Sequence, residues 1–214
     1  MTPRRIKKFE KVVAQRQFDL TVILENVHDP HNIGAVLRSC DAVGIREIFV
    51  IYSDDELSQE TLEPGKKSST GADKWVDIHY FSDSDQCFQK VRKNYEKILC
   101  TSLSGRSAKL YDLDLTQSLA LLFGNEHKGV SKESLQKCDG NFVIPQMGMV
   151  ESLNISVACA VTLFEAARQR MENGFYKNNT TNSTAEKKQL FEEYVRRHEL
   201  ALELRKQKRS KSKK

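Results

Sequence analysis

The 214-residue sequence lacks the features that mark membrane, secreted and metal-binding proteins. No run approaches the ~18 consecutive apolar residues of a membrane-spanning helix, and the N-terminus has no apolar signal-peptide core. The five cysteines are scattered and form no C-x-x-C pair, which indicates reduced thiols. His28 and His31 flank Asp29, but no further cluster of ligand residues accompanies them. We therefore expect a cytoplasmic protein that holds no metal and contacts no membrane.

Positive charge is scarce in the middle of the chain, although the net charge is +5. Residues 1–16 contain six Lys or Arg and one Glu, and residues 196–214 contain nine Lys or Arg and two Glu. The remaining residues contain 19 basic and 26 acidic side chains. Two basic terminal arms predict a phosphate-rich partner that binds through counterion release. For residues 206–214 taken alone, a solvated tail that aids solubility is an open alternative.

Apolar runs and helical periodicities alternate along the body of the chain. We predict strands at residues 20–24, 47–52, 75–81, 97–101, 119–123 and 141–144, and helices at 32–43, 83–95, 131–138 and 152–172. Near-continuous apolar strands separated by helices predict an α/β fold with a mostly parallel sheet and helices on both faces.

Short helical extensions flank this body. Thr2 and Pro3 open an amphipathic helix, and a polar linker at residues 177–184 precedes a charged C-terminal helix. We expect a basic N-terminal helix at 1–18, a main domain at 19–174, and a linker with a basic helix at 175–214.

Three separated motifs carry the chemistry. They are Asn26-Val27-His28-Asp29-Pro30-His31-Asn32-Ile33-Gly34-Ala35-Val36-Leu37-Arg38, then Leu122-Phe123-Gly124-Asn125-Glu126-His127-Lys128-Gly129, then Ile144-Pro145-Gln146-Met147-Gly148-Met149-Val150-Glu151-Ser152-Leu153-Asn154-Ile155-Ser156. The second motif is not a phosphate loop, because its lysine precedes the second glycine instead of following it. A strand that ends at Gly124 suits a close approach of the backbone to a bound adenosine. In the third motif, helix-opening amides and Ser or Asn side chains supply hydrogen-bond donors, although simple helix capping is an alternative for Ser152 and Asn154.

In order and spacing, the motifs resemble those of the SPOUT RNA 2′-O-methyltransferases, and most closely the TrmH subgroup that methylates the D-loop guanosine 18 of transfer RNA (tRNA). The resemblance runs from about Arg4 to Tyr176. It implies a C-terminal trefoil knot, a homodimer with a shared active site, and S-adenosylmethionine as the methyl donor. The implied cofactor-binding residues are Thr101, Gly124, Ile144 and Leu153, and the implied catalytic residues are Asn32, Arg38, Glu126, Ser152 and Asn154.

A ribose 2′-hydroxyl is a weak acid and a weak nucleophile, so its methylation needs in-line positioning and a way to handle the proton. Arg38 is a poor general base, because a guanidinium has no acceptor and stays protonated. Our hypothesis is that Arg38 engages the phosphate beside the target ribose and stabilises the developing oxyanion. Family proposals that this arginine is the base stay open. Asn32 is better placed at the N-terminus of the helix than in its middle, because from the N-terminus its side chain reaches into the site.

Three features favour the tRNA subgroup. First, the opening helix and the segment 15–20 resemble this subgroup. Second, we see no N-terminal extension large enough for a separate RNA-binding domain. Third, a basic C-terminal helix is present. The basic residues of the opening helix, which we expect to bind RNA, are Arg4, Arg5, Lys7, Lys8 and Lys11. Methylation of ribosomal RNA or of the anticodon wobble nucleotide is the alternative reaction. A non-catalytic RNA-binding protein or chaperone is the alternative of another class, which five intact site residues argue against.

Deleting residues 205–214 tests whether the tail contacts RNA, since it removes seven Lys or Arg residues and no acidic ones. We expect weaker tRNA binding and a shallower salt dependence. With fewer phosphate contacts, binding releases fewer counterions. Cofactor affinity should not change. A salt titration of both proteins measures the slope, and an unchanged slope would make the tail a solvated appendage and leave RNA recognition to the N-terminal helix.

Overall fold

Seven strands in the segment Gln17–Phe175 form one sheet in the computed structural model, which describes residues 1–53, 71–102, 107–177 and 184–211. The strands are β1 (Leu20–Glu25), β2 (Glu47–Ile51), β3 (Asp77–Phe81), β4 (Lys97–Thr101), β5 (Ala108–Lys109), β6 (Leu119–Phe123) and β7 (Gly140–Val143). The helices of the described residues are α1 (Pro3–Ala14), α2 (Pro30–Val43), α3 (Ser84–Val91), α4 (Lys132–Lys137), α5 (Ile155–Glu172) and α6 (Ala185–Lys211).

The strand order is β3-β2-β1-β6-β4-β7-β5, and each neighbouring pair is parallel. Ile23 of β1, for example, pairs with Phe49 of β2 on one side and with Leu122 of β6 on the other. The predicted α/β fold with a parallel sheet is therefore confirmed. Because parallel strands end at one edge, the motifs that follow β1, β6 and β7 reach the same edge of the sheet.

Hydrophobic burial holds helices on the central strands. On one face, Phe88 and Val91 of α3 pack into a cluster with Ile23 and Phe49, and Leu135 of α4 packs against it. Strands β1, β2 and β6 are buried along their whole length, which excludes a solvent-exposed face in the middle of the sheet. Helices α2 and α5 pack against each other. The apolar side chains of α2 are largely buried, and on α5 Ile155, Cys159 and Leu163 are buried.

Capping residues set the helix boundaries where they depart from the predicted ones. Helix α2 begins at Pro30 instead of residue 32, because the Asp29 side chain accepts a hydrogen bond from the His31 backbone at 2.8 Å. At its other end Gly44 takes the left-handed conformation that the sequence predicts, with φ of 89°. Helix α5 begins at Ile155 instead of residue 152, because Asn154 is the cap.

Other boundaries also differ from the predicted ones. Helix α3 ends at Val91, before the predicted residue 95, and β3 begins at Asp77, after a short 3₁₀ turn at residues 72–74. The two-residue strand β5 was not predicted, because two residues carry no periodicity. Most of the predicted linker at 177–184 lies outside the described residues.

Helices α1 and α6 form a second unit, which spans Met1–Arg16 and Tyr176–Lys214. The two helices were predicted as separate extensions, but Phe9 packs edge-on against Tyr194 at a centroid distance of 6.1 Å. The Arg16 guanidinium lies 5.7 Å from the Tyr194 ring, and Lys187 donates a hydrogen bond to the Ala14 carbonyl. Pro3 occupies the first turn of α1 as predicted, whereas the Thr2 hydroxyl makes no capping hydrogen bond.

A buried carboxylate links the first residue of β2 to the middle of β3 in the sheet unit. Glu47 accepts hydrogen bonds from Tyr95 at 2.9 Å and pairs with His79 at 2.9 Å, and Arg46 lies 3.4 Å away. Burial alone would raise the pKa of Glu47, but the His79 hydrogen bond, the Arg46 charge and the Tyr95 hydrogen bond outweigh it and lower the pKa to about 2. The ionised carboxylate therefore stabilises the fold.

Replacing Glu47 with Gln should lower the free energy of unfolding near pH 7 by up to roughly 3 kcal/mol. The folded pKa is depressed, so the stabilising contribution is present above the unfolded value near 4.5 and is lost as pH falls toward about 2. Denaturant unfolding at several pH values should show the difference from wild type narrowing over that window. Glu96→Gln is the matched control, because Glu96 is exposed. A pH-independent difference would contradict this account.

Candidate active site

A pocket of about 470 Å³ lies at the carboxyl edge of the sheet, a volume typical of small-molecule sites. Its wall combines the ends of β4, β6 and β7 with the segment that leads into α5. The residues predicted to bind the cofactor all line it, namely Thr101, Gly124, Ile144 and Leu153. Glu126 and Ser152 line the same pocket, so the second and third motifs share one cavity.

The loop after β6 folds back on itself at Gly124. A Cβ atom at this position would lie 2.2–2.3 Å from backbone atoms of Gly129 and Val130, a distance that no side chain can tolerate. Asn125 and Gly129 exchange backbone hydrogen bonds of 3.0 and 2.8 Å, which close the loop. From the sequence, Gly124 was expected to let the backbone approach a ligand. The structure shows that glycine is also needed here because the backbone of Gly129 and Val130 lies against it.

Asn125 and Asn26 tie the loop to the first motif, and neither had been given a role from the sequence. The Asn125 amide donates to the Asn26 carbonyl at 2.8 Å, and its oxygen accepts from the backbones of His127 and Lys128. Asn26 has a φ of 52°, a left-handed conformation that asparagine tolerates better than most residues. Its side chain accepts from the Ser53 backbone at 2.9 Å. A polar pair of this kind leaves no periodic signal in a sequence.

Glu25 holds the far end of the loop and was also missed. It is 2% exposed, and its carboxylate accepts hydrogen bonds from the Ser131 backbone at 2.9 Å and the Ser131 hydroxyl at 2.8 Å. The Ser134 hydroxyl donates to the same carboxylate at 2.5 Å. A buried acid without hydrogen-bond partners is strongly disfavoured, so Glu25 fixes the start of α4 relative to β1. An acidic residue ending an apolar strand was the available signal.

A chain of side-chain hydrogen bonds connects the three motifs. Asn154 donates to Asn32 at 3.2 Å, and Asn32 donates to Glu126 at 2.8 Å. Asn32 lies in the first turn of α2, as expected from the sequence, and is 9% exposed. Three predicted site residues from three distant segments therefore meet within one polar network.

Arg38 and Ser152 are placed differently from that network. Arg38 is exposed on α2 and is not among the residues that line the pocket. Its guanidinium makes no ion pair or side-chain hydrogen bond within the described part of the chain. Ser152 precedes α5 and is exposed at the pocket wall. A single chain therefore offers Arg38 as a free cation outside its own pocket.

The predicted RNA-binding residues all lie on α1. Four of them are exposed, namely Arg4, Lys7, Lys8 and Lys11. Arg5 is half-buried, with its guanidinium 5.1 Å from the Phe9 ring centroid. Among the described residues, no group of His, Cys, Asp and Glu is arranged to hold a metal ion, and no helix is long and apolar enough to span a membrane.

Gly124→Ala should lower the free energy of unfolding by about 1–3 kcal/mol or more, because backbone atoms cannot move aside as a flexible side chain can. Gly148→Ala is the matched control, since a Cβ there would meet no atom within 4 Å. Thermal and denaturant unfolding of both variants measures the difference. Equal stability of the two variants would refute the steric role of Gly124.

Comparison with known proteins places this site in a family. Residues 19–164 match the model of the SpoU rRNA Methylase family. A tRNA (guanosine(18)-2′-O)-methyltransferase of Thermus thermophilus is 41% identical over 175 residues, which cover 82% of this chain and 88% of that protein.

Two solved structures share the fold. The A. aeolicus TrmH/SpoU tRNA modifying enzyme has a TM-score of 0.78 and 32% identity, covering 89% of this chain and 94% of that one. The methyltransferase AviRb from Streptomyces viridochromogenes, in complex with the cofactor AdoMet, has a TM-score of 0.65 and 28% identity, covering 73% of this chain and 59% of that one. By its sequence match over most of its length and by its fold, the chain belongs to the SpoU methylase family.

Proposed function

We propose that this protein transfers the methyl group of S-adenosylmethionine to the ribose 2′-hydroxyl of guanosine 18 in tRNA. The observation that carries the proposal is the meeting of all three motifs at the carboxyl edge of the sheet, where one pocket and one hydrogen-bond network join them. The Thermus thermophilus relative, which carries this activity in its name, matches over 82% of this chain. Ribosomal RNA and the wobble nucleotide are the competing substrates.

The pocket suits S-adenosylmethionine in size and in chemistry. Ile144 and Leu153 offer apolar surface to an adenine ring, and backbone groups around Gly124 can hydrogen-bond to its edge. Glu126 offers carboxylate oxygens to ribose hydroxyls. When bound, S-adenosylmethionine supplies an electrophilic methyl group on a sulfonium centre. The loop closed by Asn125 and Gly129 holds this wall before any ligand arrives.

Arg38 acts on the RNA and not on the cofactor. As the ribose 2′-hydroxyl loses its proton to a base or to water, a guanidinium beside it would stabilise the negative charge that develops on the oxygen. The same fork can bind the neighbouring phosphate with two hydrogen bonds. Arg38 is exposed and outside the lining of its own pocket, so we propose that it serves the pocket of a second subunit.

A second copy of the chain also explains a row of exposed apolar side chains on α5. Val157, Phe164 and Met171 are 46%, 55% and 57% exposed, and their spacing of seven places them on one helix face. Large apolar side chains in a row mark an interaction surface. Ala158 on the same helix lines the pocket, so a partner on this face would sit beside the site. We propose a homodimer with active sites shared between subunits.

The remaining parts of the proposal concern topology and RNA. We propose that the segments around Gly124 and from residue 144 to 156 form a trefoil knot. The basic residues of α1, together with the C-terminal arm, supply affinity for tRNA that does not depend on sequence. The protein works in the cytoplasm, where tRNA is modified.

Arg38→Ala should lower the rate of methyl transfer to tRNA by about 100-fold or more, because a donor to the developing charge is lost. The affinity for S-adenosylmethionine should stay near wild type. The methyl-transfer rate of Arg38→Lys should lie between those of wild type and Arg38→Ala, since lysine keeps the charge but lacks the planar fork. Single-turnover rates and calorimetric binding separate these effects. An Arg38→Ala rate within a few-fold of wild type would contradict the assignment, and a wild-type protein without activity on tRNA would contradict the proposed function.

Mixed dimers test the sharing of the site. Arg38→Ala and Glu126→Ala subunits should each be nearly inactive alone, but a dimer with one of each would have one intact site if Arg38 crosses to the partner. Random mixing should restore about a quarter of wild-type activity. If Arg38 served its own pocket, no mixed dimer would be active. A protein that sediments as a monomer and keeps full activity would rule out the dimer altogether.

A further inference from the structure

The hydrogen-bond chain through Asn154, Asn32 and Glu126 runs in one direction. A backbone N–H can only donate, so the Asn154 atom that faces the Ser156 backbone at 2.9 Å must be its oxygen. The Asn154 nitrogen then donates to the Asn32 oxygen at 3.2 Å. This leaves the Asn32 nitrogen to donate to Glu126 Oε1 at 2.8 Å.

The other end of the chain sets the same direction independently. An ionised carboxylate accepts and never donates, so the Asn32 atom facing Glu126 must be nitrogen. The Ser156 hydroxyl adds a second donor to the Asn154 oxygen at 2.6 Å. Both amides are thus oriented from both ends, and turning either of them over would place two acceptors or two donors face to face.

We propose that Asn32 and Asn154 are positioning residues that act through Glu126. They hold Oε1 of its carboxylate so that the second oxygen, Oε2, presents an acceptor to a hydroxyl group in the pocket. The pocket wall includes Glu126, and within the described residues no hydrogen bond engages Oε2. The inference rests on the proposed function, because it takes the hydroxyl to belong to a ribose of the cofactor or of the RNA.

Helix capping does not account for Asn154. Its oxygen caps α5, a task that aspartate performs equally well. Its nitrogen has no part in the cap, yet it makes the first link to Asn32. Asparagine is the side chain that caps with one atom and donates with the other. Asparagine is therefore required at position 154 by the hydrogen bond to Asn32 and not by the capping of α5.

Two single substitutions disturb the hydrogen-bond chain in different ways. Asn154→Asp keeps the cap but turns the first link into two facing acceptors. Asn32 can then satisfy the new aspartate only by turning over, which directs its oxygen at Glu126. Glu126→Gln keeps the original direction, because its oxygen still accepts from Asn32, but it presents an amide nitrogen to the pocket. Each change should lower kcat/KM for methyl transfer about tenfold.

The double variant reverses every link at once. In Asn154→Asp/Glu126→Gln, the aspartate accepts from Asn32 Nδ2, and Asn32 Oδ1 accepts from the new amide. The free atom at position 126 is then an oxygen, as it is in the wild type. Glu126→Gln should therefore lower kcat/KM in the wild-type background and raise it in the Asn154→Asp background. Two independent roles would instead give losses that add.

The pair of substitutions Asn154→Asp/Glu151→Gln is a control for the change in net charge. Glu151 also lines the pocket, so this pair has the same net charge as the double variant but leaves the chain broken. It should not recover activity. Recovery in this control equal to that of the double variant would assign the effect to charge and overturn the proposal.

The unfolding equilibrium, measured without cofactor or RNA, separates this inference from the proposed function. The midpoint denaturant concentration should show the same reversal. Glu126→Gln should lower it slightly in the wild-type background, because an amide oxygen accepts more weakly than a carboxylate, and should raise it in the Asn154→Asp background. Reversal in a protein that methylates no RNA would keep the directional chain and refute the proposed function. If Glu126→Gln lowers both the midpoint and kcat/KM in both backgrounds, the proposed direction of the hydrogen-bond chain is wrong.

Discussion

The site depends on one close contact, the packing of the backbone at Gly124 against the backbone at Gly129 and Val130. This contact turns the end of β6 into a closed loop, and the loop is the wall on which Glu126 sits. Asn125 holds the loop to the first motif, and Glu25 holds its far end to β1. Because Gly124, Asn125 and Glu25 are buried, and Asn125 and Glu25 are hydrogen-bonded, the fold itself holds this wall in place.

Chemistry and RNA affinity are divided between different parts of the sequence. The segment between the basic arms has an excess of acidic side chains, whereas the arms carry all of the net positive charge. A polyanion is attracted by the arms without reference to its sequence. In the proposed function, selection of one ribose then falls to the pocket and to Arg38, which is exposed on α2. This division explains how an acidic catalytic body can act on a nucleic acid.

Much of the fold followed from hydrophobic pattern, because buried parallel strands such as β1 and β6 are continuous apolar runs. Boundaries were less predictable, since Asp29 and Asn154 set them through single capping hydrogen bonds. The four cofactor-binding residues were implied by the family resemblance, and the structure places them around one pocket. Glu25 and Asn125 escaped prediction because their value lies in partners about a hundred residues away. No local pattern reports such a contact.

The central claim is that the methyl group goes to the 2′-oxygen of guanosine 18. Removing that one oxygen atom from the tRNA tests the claim. A tRNA transcript that carries 2′-deoxyguanosine at position 18 lacks the proposed acceptor oxygen and nothing else. With labelled S-adenosylmethionine, the account predicts full incorporation into the unmodified transcript, mapped by mass spectrometry to guanosine 18, and none into the deoxy transcript. Equal labelling of both transcripts would contradict the account, because the methyl group would then be going to another atom.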